Sequence, residues 1–361
     1  MQNLDLRDRT NMFYWQTNRK ITAQQQKEVF LDRYQVVKTE DVKAAIQYAM
    51  KQIGTNTVIT ELSEPIEFGS VNTVRSAKMS DGSSIVVRMH PYHVKNGYFW
   101  SESVAVSEAK KQGALVYDTL FVDDSMNKFP FAFMIMTALP GKTLKEYTDQ
   151  KDYLYTERVV RETGRNVALI HKVTPSGFGF FLNNISKNEK RLQGQYQRFE
   201  QHIFAALEED LNFLKEYKVI DEDKKQKIVG VFESNRHLMN CPKASLIHND
   251  VADWNETGDG EHVTGLVDWD ECFAGDPAMD FAAYSLFYGE PRMTWFKEGY
   301  QEIAKLPDQF EEKFQLYKLR YLVSKLHLRK KRLLVYESEN LLYLLQRGLE
   351  AMAEVFDYFK V

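Results

Sequence analysis

The chain has 361 residues, 43% hydrophobic and 27% charged, enough to bury a sizeable core and to divide it between two lobes. A formal net charge of −4 gives no general reason to expect a nucleic-acid partner, and the longest apolar run, 129–139, is too short for a membrane span and contains Pro130. Two cysteines, Cys241 and Cys272, make neither a disulfide framework nor, with His248 or His262, zinc-ligand spacing; with a charged N-terminus that lacks a secretory apolar stretch, the expectation is the cytoplasm.

Residues 1–38 are polar and aromatic without a period, and read either as an arm on the lobe that follows or as a homodimer contact. A helix follows, capped by Thr39 and ended by Gly54, with Val42, Ala45, Ile46, Ala49, Met50 and Ile53 on one face. From Ile66 to Met89 the pattern turns to β. Thr73–Met79 and Ser84–Met89 are strands about an Asp81-Gly82 turn, and the Gly69–Asn72 loop before them is placed to offer backbone N–H groups to phosphates. A helix is expected over 102–112, then an apolar strand from Phe131 to Thr137 that runs into Ala-Leu-Pro-Gly141. Outside the segment described next, the rest reads as helical: 157–172, with His171 as a core histidine on its apolar stripe, then 196–217, 221–238, 278–288, 293–303, 309–331 and 339–359. The basic run Arg329–Arg332 reads as a solvated helix face.

The chemistry gathers between Leu246 and Ala282. Two apolar pairs, Leu246-Ile247 and Leu266-Val267, each deliver the chain to a polar turn, the first at His248-Asn-Asp250 and the second at Asp268-Trp-Asp270. A hairpin turning at Asp259-Gly260 would bring Asn255 beside Asp268, giving two oxygen ligands for a hard cation such as Mg²⁺. Asp250 would stand close by, free to orient a nucleophile. Asp276-Pro277 suits the start of a helix carrying Asp280. No Lys or Arg lies between Lys243 and Arg292, while acids are frequent there, which favours a cationic acceptor. Asp253, Asp270 and Glu271 are the expected acceptor contacts, with cation–π support from Trp254, Trp269, Tyr284 and Tyr288.

The ordered set H-x-D-x-x-x-x-N, D-W-D and G-D-P-x-x-D resembles the signature of the aminoglycoside phosphotransferase and choline kinase-like family, small-molecule relatives of protein kinases. The resemblance implies an α+β, protein-kinase-like two-lobed fold: an arm over 1–38, a small β-rich N-lobe over 39–139, and a larger, mostly helical C-lobe over 140–361. It implies Asp250 as catalytic base or nucleophile-orienting group, Asn255 and Asp268 as magnesium ligands, and His248, Asp276 and Asp280 as braces. Ser70, Asn72, Arg88, Glu102, Thr137 and Leu139 would bind the nucleotide, the backbone groups of Thr137–Leu139 meeting the purine at a hinge between the lobes, and Arg88 standing in the place of the usual Lys and paired to Glu102, or failing that to Glu108. Asn249 stands where the family usually has Gly. The implied reaction moves the γ-phosphoryl of ATP or GTP to a hydroxyl of an aminoglycoside-like or other hydroxylated amine antibiotic. The alternatives are a metabolic kinase of choline, ethanolamine, an amino alcohol or a sugar, and a non-catalytic nucleotide-binding scaffold. Asp268-Trp-Asp in place of D-F-G speaks against a protein kinase.

Overall fold

A computed structural model of the chain describes residues 4–5, 22, 37–66, 72–95, 97–149, 157–335 and 337–361. The fold is the expected α+β, kinase-like one. Its first part is a five-stranded antiparallel sheet of β1 (Ile59–Leu62), β2 (Thr73–Met79), β3 (Ser84–Met89), β4 (Thr119–Asp123) and β5 (Phe133–Thr137), in the order β1-β2-β3-β5-β4. Strand alternation assigns its two faces. Ile85, Val87, Phe133 and Ile135 pack with the buried stripe of helix α1 (Thr39–Gln52), while Met134 and Met136 face the core shared with helix α2 (Phe99–Lys111).

Three expectations change here. Thr39 is the first residue of α1 rather than its cap, because its hydroxyl accepts from Arg75 Nη1 at 2.9 Å. Ile53 falls past the helix and is 42% exposed. The first strand lies earlier than the Ile66 start, although Ile66 N–H still donates to Val74 O at 2.9 Å. Of the arm, backbone pairing is described for Leu4-Asp5, which run parallel to Val94-Lys95; most of the remainder, and with it any dimer contact, lies outside the described residues.

The second part is built on helices α3 (Glu157–Ile170), α4 (Phe199–Phe204), α5 (Leu207–Glu216), α6 (Glu222–Ser234), α7 (Ala278–Tyr284), α8 (Arg292–Gln301), α9 (Phe310–Leu333) and α10 (Glu339–Phe359). The helix expected over 196–217 is broken at Ala206, whose φ is +56°. Arg320 of α9 makes the break affordable by donating to the carbonyls of Ile203 and Ala205 at the end of α4. A strand the helical reading missed, β6 (Phe178–Phe181), is buried along its whole length. The hairpin segment forms β7 (Ser245–Ile247), β8 (Glu256–Gly258), β9 (Val263–Leu266) and β10 (Phe273–Gly275), with β10 paired to both β7 and β6. Helices α3 and α8 cross backbone to backbone at Gly164 and Gly299, where an added Cβ would stand 2.2 Å from Phe296 O and 2.1 Å from Arg161 O. Among the described residues, no helix is long and apolar enough to cross a membrane.

Candidate active site

Strand β7 hands the chain to His248-Asn249-Asp250, and a single buried carboxylate fixes that turn. Asp280 of α7 accepts the His248 N–H at 3.0 Å on Oδ2 and the Asn249 N–H at 2.6 Å on Oδ1. His171 adds a contact at 2.9 Å, and its other nitrogen meets the Tyr300 hydroxyl at 3.1 Å. Burial works against the Asp280 charge, but His171 and the backbone N–H groups outweigh it and hold the carboxyl below its ordinary value. Asn249 has a φ of +75°, the left-handed region a glycine would occupy, so the loop keeps the shape a glycine would give it. The side chain that Asn adds there is bonded by the Tyr321 hydroxyl of α9.

Asp250 is buried to 9% exposure and accepts from Asn255 Nδ2 at 2.8 Å. Burial raises its proton affinity; Lys325 is the largest opposing influence. His248 spans the two turns, with Nδ1 accepting from Asp250 N–H and Nε2 3.1 Å from Val267 O. That pattern is a neutral imidazole, and burial lowers its pKa accordingly.

The hairpin closes as its turn chemistry requires. Gly260 takes a φ of +100°, Asp259 Oδ1 accepts from the N–H groups of Glu261 and His262, and Glu256 pairs with Leu266. Val267 N–H then donates to Asn255 O at 2.8 Å, which sets Asn255 beside the second turn. Asp268 follows with a φ of +64° and a side chain 42% exposed. Because the Asn255 amide turns Nδ2 to Asp250, its Oδ1 is left to a different neighbour. Among the described residues no group of three or more His, Cys, Asp or Glu side chains is gathered to hold a metal. An Asn oxygen and one accessible carboxylate nevertheless fit Mg²⁺, which takes few protein ligands and completes its shell with phosphate and water.

Alternation along β3 turns Arg88 toward α2, where Nη1 bonds the fully buried Glu102 and Nη2 donates to Asp268 Oδ1 at 2.7 Å; Asp270 lies 3.8 Å away. Tyr117 also donates to Glu102. Burial alone would lower the Arg88 pKa, but the charges of Glu102, Asp268 and Asp270 raise it well above the ordinary value. Glu102, not Glu108, is therefore the partner; Glu108 binds Lys111 on the surface.

Other expected site residues stand elsewhere. Ser70 lies outside the described residues. The Asn72 side chain is engaged by Tyr98 and His90 rather than turned to phosphates. Thr137 N–H donates to Asp118 O and Ala138 N–H to Ser84 O, so two of the three hinge amides are committed; Leu139 lies over Gly265. Trp269 is fully buried, with its Nε1 donating to Leu266 O. Asp253 is held by Arg292 at 2.6 Å, and that guanidinium sits 3.5 Å from the Tyr288 ring centroid and also bonds the Tyr284 hydroxyl. The cation on these rings is thus supplied by the chain. Glu271 is 2% exposed. Asp270 lines a cleft of about 950 Å³ with Tyr98, Ser101, Glu102 and Phe180. Asp276 accepts from Ala278 N–H and pairs with Lys313 at 2.7 Å.

Three residues that sequence reasoning passed over belong to this region: Arg292, Tyr321 and Lys325. The run read as a solvated face is in part interior, with Arg329 and Lys331 buried and Arg329 donating to Leu344 O. The available signal was the 321, 325, 329 spacing, one helical face with a Tyr, a Lys and an Arg.

No curated protein matches the chain. Solved structures do. A thermostable mutant of the aminoglycoside phosphotransferase APH(4)-Ia, in a ternary complex with AMP-PNP and hygromycin B, is 16% identical with a TM-score of 0.59, over 85% of this chain and 97% of its own. A protein from Thermobifida fusca YX-ER1, provisionally named a fructosamine-3-kinase, is 14% identical with a TM-score of 0.63, over 88% and 100%. A streptomycin–ATP complex of APH(2″)-IIa is 15% identical with a TM-score of 0.56, over 89% and 99%. These likenesses establish the fold. The family model described as "Phosphotransferase enzyme family" matches residues 106–311, more than half of the chain, and the chain belongs to that family.

Proposed function

We propose that the chain is a small-molecule kinase that moves the γ-phosphoryl of ATP, or of GTP, to a hydroxyl of a small acceptor. The nucleotide would lie between a lobe of residues 39–139 and a lobe of residues 140–361. The observation that carries the reading is convergence: Asp250 touches Asn255, Asn255 adjoins Asp268, and Arg88 ties Asp268 to Glu102. Asn255 and Asp268 are the residues that would hold Mg²⁺, which when bound neutralises phosphate charge. Arg88 offers planar donors to the α- and β-phosphates, and Leu139 offers the hinge amide to the purine. The acceptor oxygen attacks the γ-phosphorus, its proton passes to the Asp250 carboxylate, and the bond to the bridging oxygen breaks with its electron pair leaving on the nucleoside diphosphate. Asp280 and His248 hold Asp250 for that transfer.

The neighbours bound to hygromycin B and streptomycin make a hydroxylated amine the first acceptor class to propose, with Asp270 as its contact on the cleft. Because Asp253 already holds Arg292, the case from unpaired acids is weaker than the sequence suggested, and a metabolic kinase of an amino alcohol or sugar is the second reading. The test is magnesium-dependent ATP and GTP turnover against aminoglycosides, choline, ethanolamine and sugars. Asp250→Asn is expected to slow turnover by about 10²–10⁴-fold with nucleotide affinity unchanged. Near-native turnover of that variant would remove Asp250 from the role, and an acceptor KM indifferent to salt would remove the amine.

A further inference from the structure

Helix α2 has no cap from its own N-terminal segment. Its N-cap position is Tyr98, whose side chain makes no cap hydrogen bond and turns its hydroxyl to Asn72, so the first amides of the helix need an acceptor from elsewhere. Asn183 supplies it. Its Oδ1 accepts from the N–H groups of Trp100 and Ser101, each at 3.1 Å, the two amides that a local N-cap side chain would take. The other end of the Asn183 amide orients it: Nδ2 donates to Asp124 Oδ2 at 3.4 Å, and Lys187 holds Oδ1 of the same carboxylate at 2.7 Å. Two further contacts lie alongside. Ser101 Oγ donates to Ser186 Oγ at 3.2 Å, both side chains buried, and Lys190 Nζ stands 3.9 Å from the centroid of the Trp100 ring.

The two sides of this contact belong to different parts of the fold. Asn183 opens a short helix, Asn183–Glu189, just past β6; β6 pairs with β10, and β10 with β7, the strand that leads to the Asp250 turn. On the other side Ser101 precedes Glu102, which bonds Arg88, and Arg88 bonds Asp268 at 2.7 Å. Tyr117 donates to the Glu102 carboxylate at 2.5 Å but does not touch the helix amides that Asn183 takes.

We infer that Asn183 is a positioning residue for nucleotide binding: a cap supplied from the second part of the fold, it fixes the first turn of α2 so that Glu102 keeps the Arg88 guanidinium aimed at the phosphates. This rests on the role proposed for Arg88, through which Asn183 acts.

Titration of Mg·ATP into the full chain tests this, with melting temperatures measured alongside. Asn183→Ala is expected to weaken Mg·ATP binding about fivefold, the order of effect that a lost helix cap carries. Asn183→Asp/Asp124→Asn returns an acceptor to the helix amides and a donor to its neighbour with no change in net charge, and should bind within about twofold of the native chain. In the Arg88→Met/Glu102→Leu background the side chains that carry the effect are gone. There Asn183→Ala should change the already weak affinity by less than about twofold, while lowering the melting temperature as it does in the native chain. A cap with a structural role alone would lower the melting temperature and leave Mg·ATP affinity unchanged, or would weaken binding equally in both backgrounds. Either result, or a failure of the exchanged pair to restore binding, overturns the inference and leaves Arg88 in its role. Native affinity in Arg88→Met/Glu102→Leu would instead overturn the role of Arg88 and the inference with it.

Discussion

Arg88 is the residue whose removal should separate stability from chemistry. Its side chain is 6% exposed and its partner Glu102 is 0% exposed, so Arg88→Met leaves a carboxylate uncompensated in the interior. Stranding one member of a buried pair costs about 3–5 kcal/mol. The contact to Asp268 adds little, because that side chain is 42% exposed and rehydrates when released. With an unfolding entropy of about 2.1 cal/mol/K per residue, the loss corresponds to a melting temperature lower by about 4–7 °C. Arg88→Met/Glu102→Leu removes both charges and should recover most of the stability, while nucleotide affinity stays low because the phosphates have lost their guanidinium. Scanning calorimetry and nucleotide titration on the two variants check this. A loss below about 1 kcal/mol for Arg88→Met, or a double variant no more stable than the single one, would refute the claim that Glu102 depends on this cation.

At Asn249, Gly should cost about 0.5–1.5 kcal/mol through the lost Tyr321 bond, and Ala about 1 kcal/mol more through its φ of +75°; equal stabilities by urea unfolding would deny the backbone strain. His202 lies among Phe180, Phe199 and Phe273, and burial, followed by the charge of Arg320, lowers its pKa to about 3. The unfolded chain binds a proton there below the ordinary histidine value of about 6.5 and the folded chain does not, so stability drops as pH falls below that point, by on the order of 2 kcal/mol at pH of about 4.5. His202→Leu should flatten this part of the stability–pH curve, and an unchanged slope would remove His202 as its source. Gly164→Ala, which sets a methyl 2.2 Å from Phe296 O, should cost about 1–3 kcal/mol and loosen the α3–α8 crossing, and a neutral effect on melting would show that the crossing can slide.

What was legible in the sequence was what depends on short spacing. Alternation in β3 turns Arg88 and Val87 to opposite faces, and Asp259-Gly260 declares its turn, which brings Asn255 to Asp268. What was not legible depends on partners far along the chain. Asn72 looked available until Tyr98 and His90 were seen to hold it. Trp269 looked like an acceptor platform, but the left-handed turn at Asp268 sends one side chain out and the next inward. Asn249 stands where the family usually has Gly, and it takes the left-handed conformation a glycine would take. The acids between Lys243 and Arg292 looked surplus because the cations that answer them come from other segments: Arg88 for Asp268, Lys313 for Asp276, and Arg292 from the boundary of the interval for Asp253.

That long-range compensation sets a limit on dissection. The family match ends at residue 311, and Lys313, Tyr321 and Lys325 come after it, while Arg88 comes before its start at residue 106. A fragment cut at those borders would contain Asp250, Asp268, Glu271 and Asp276 but not the cations that face them. Mutual repulsion among carboxylates in a poorly hydrated interior would then oppose refolding of the excised piece. The recognisable stretch is therefore a marker of kinship and not an autonomous unit: expression borders for this protein belong before α1 and after α10.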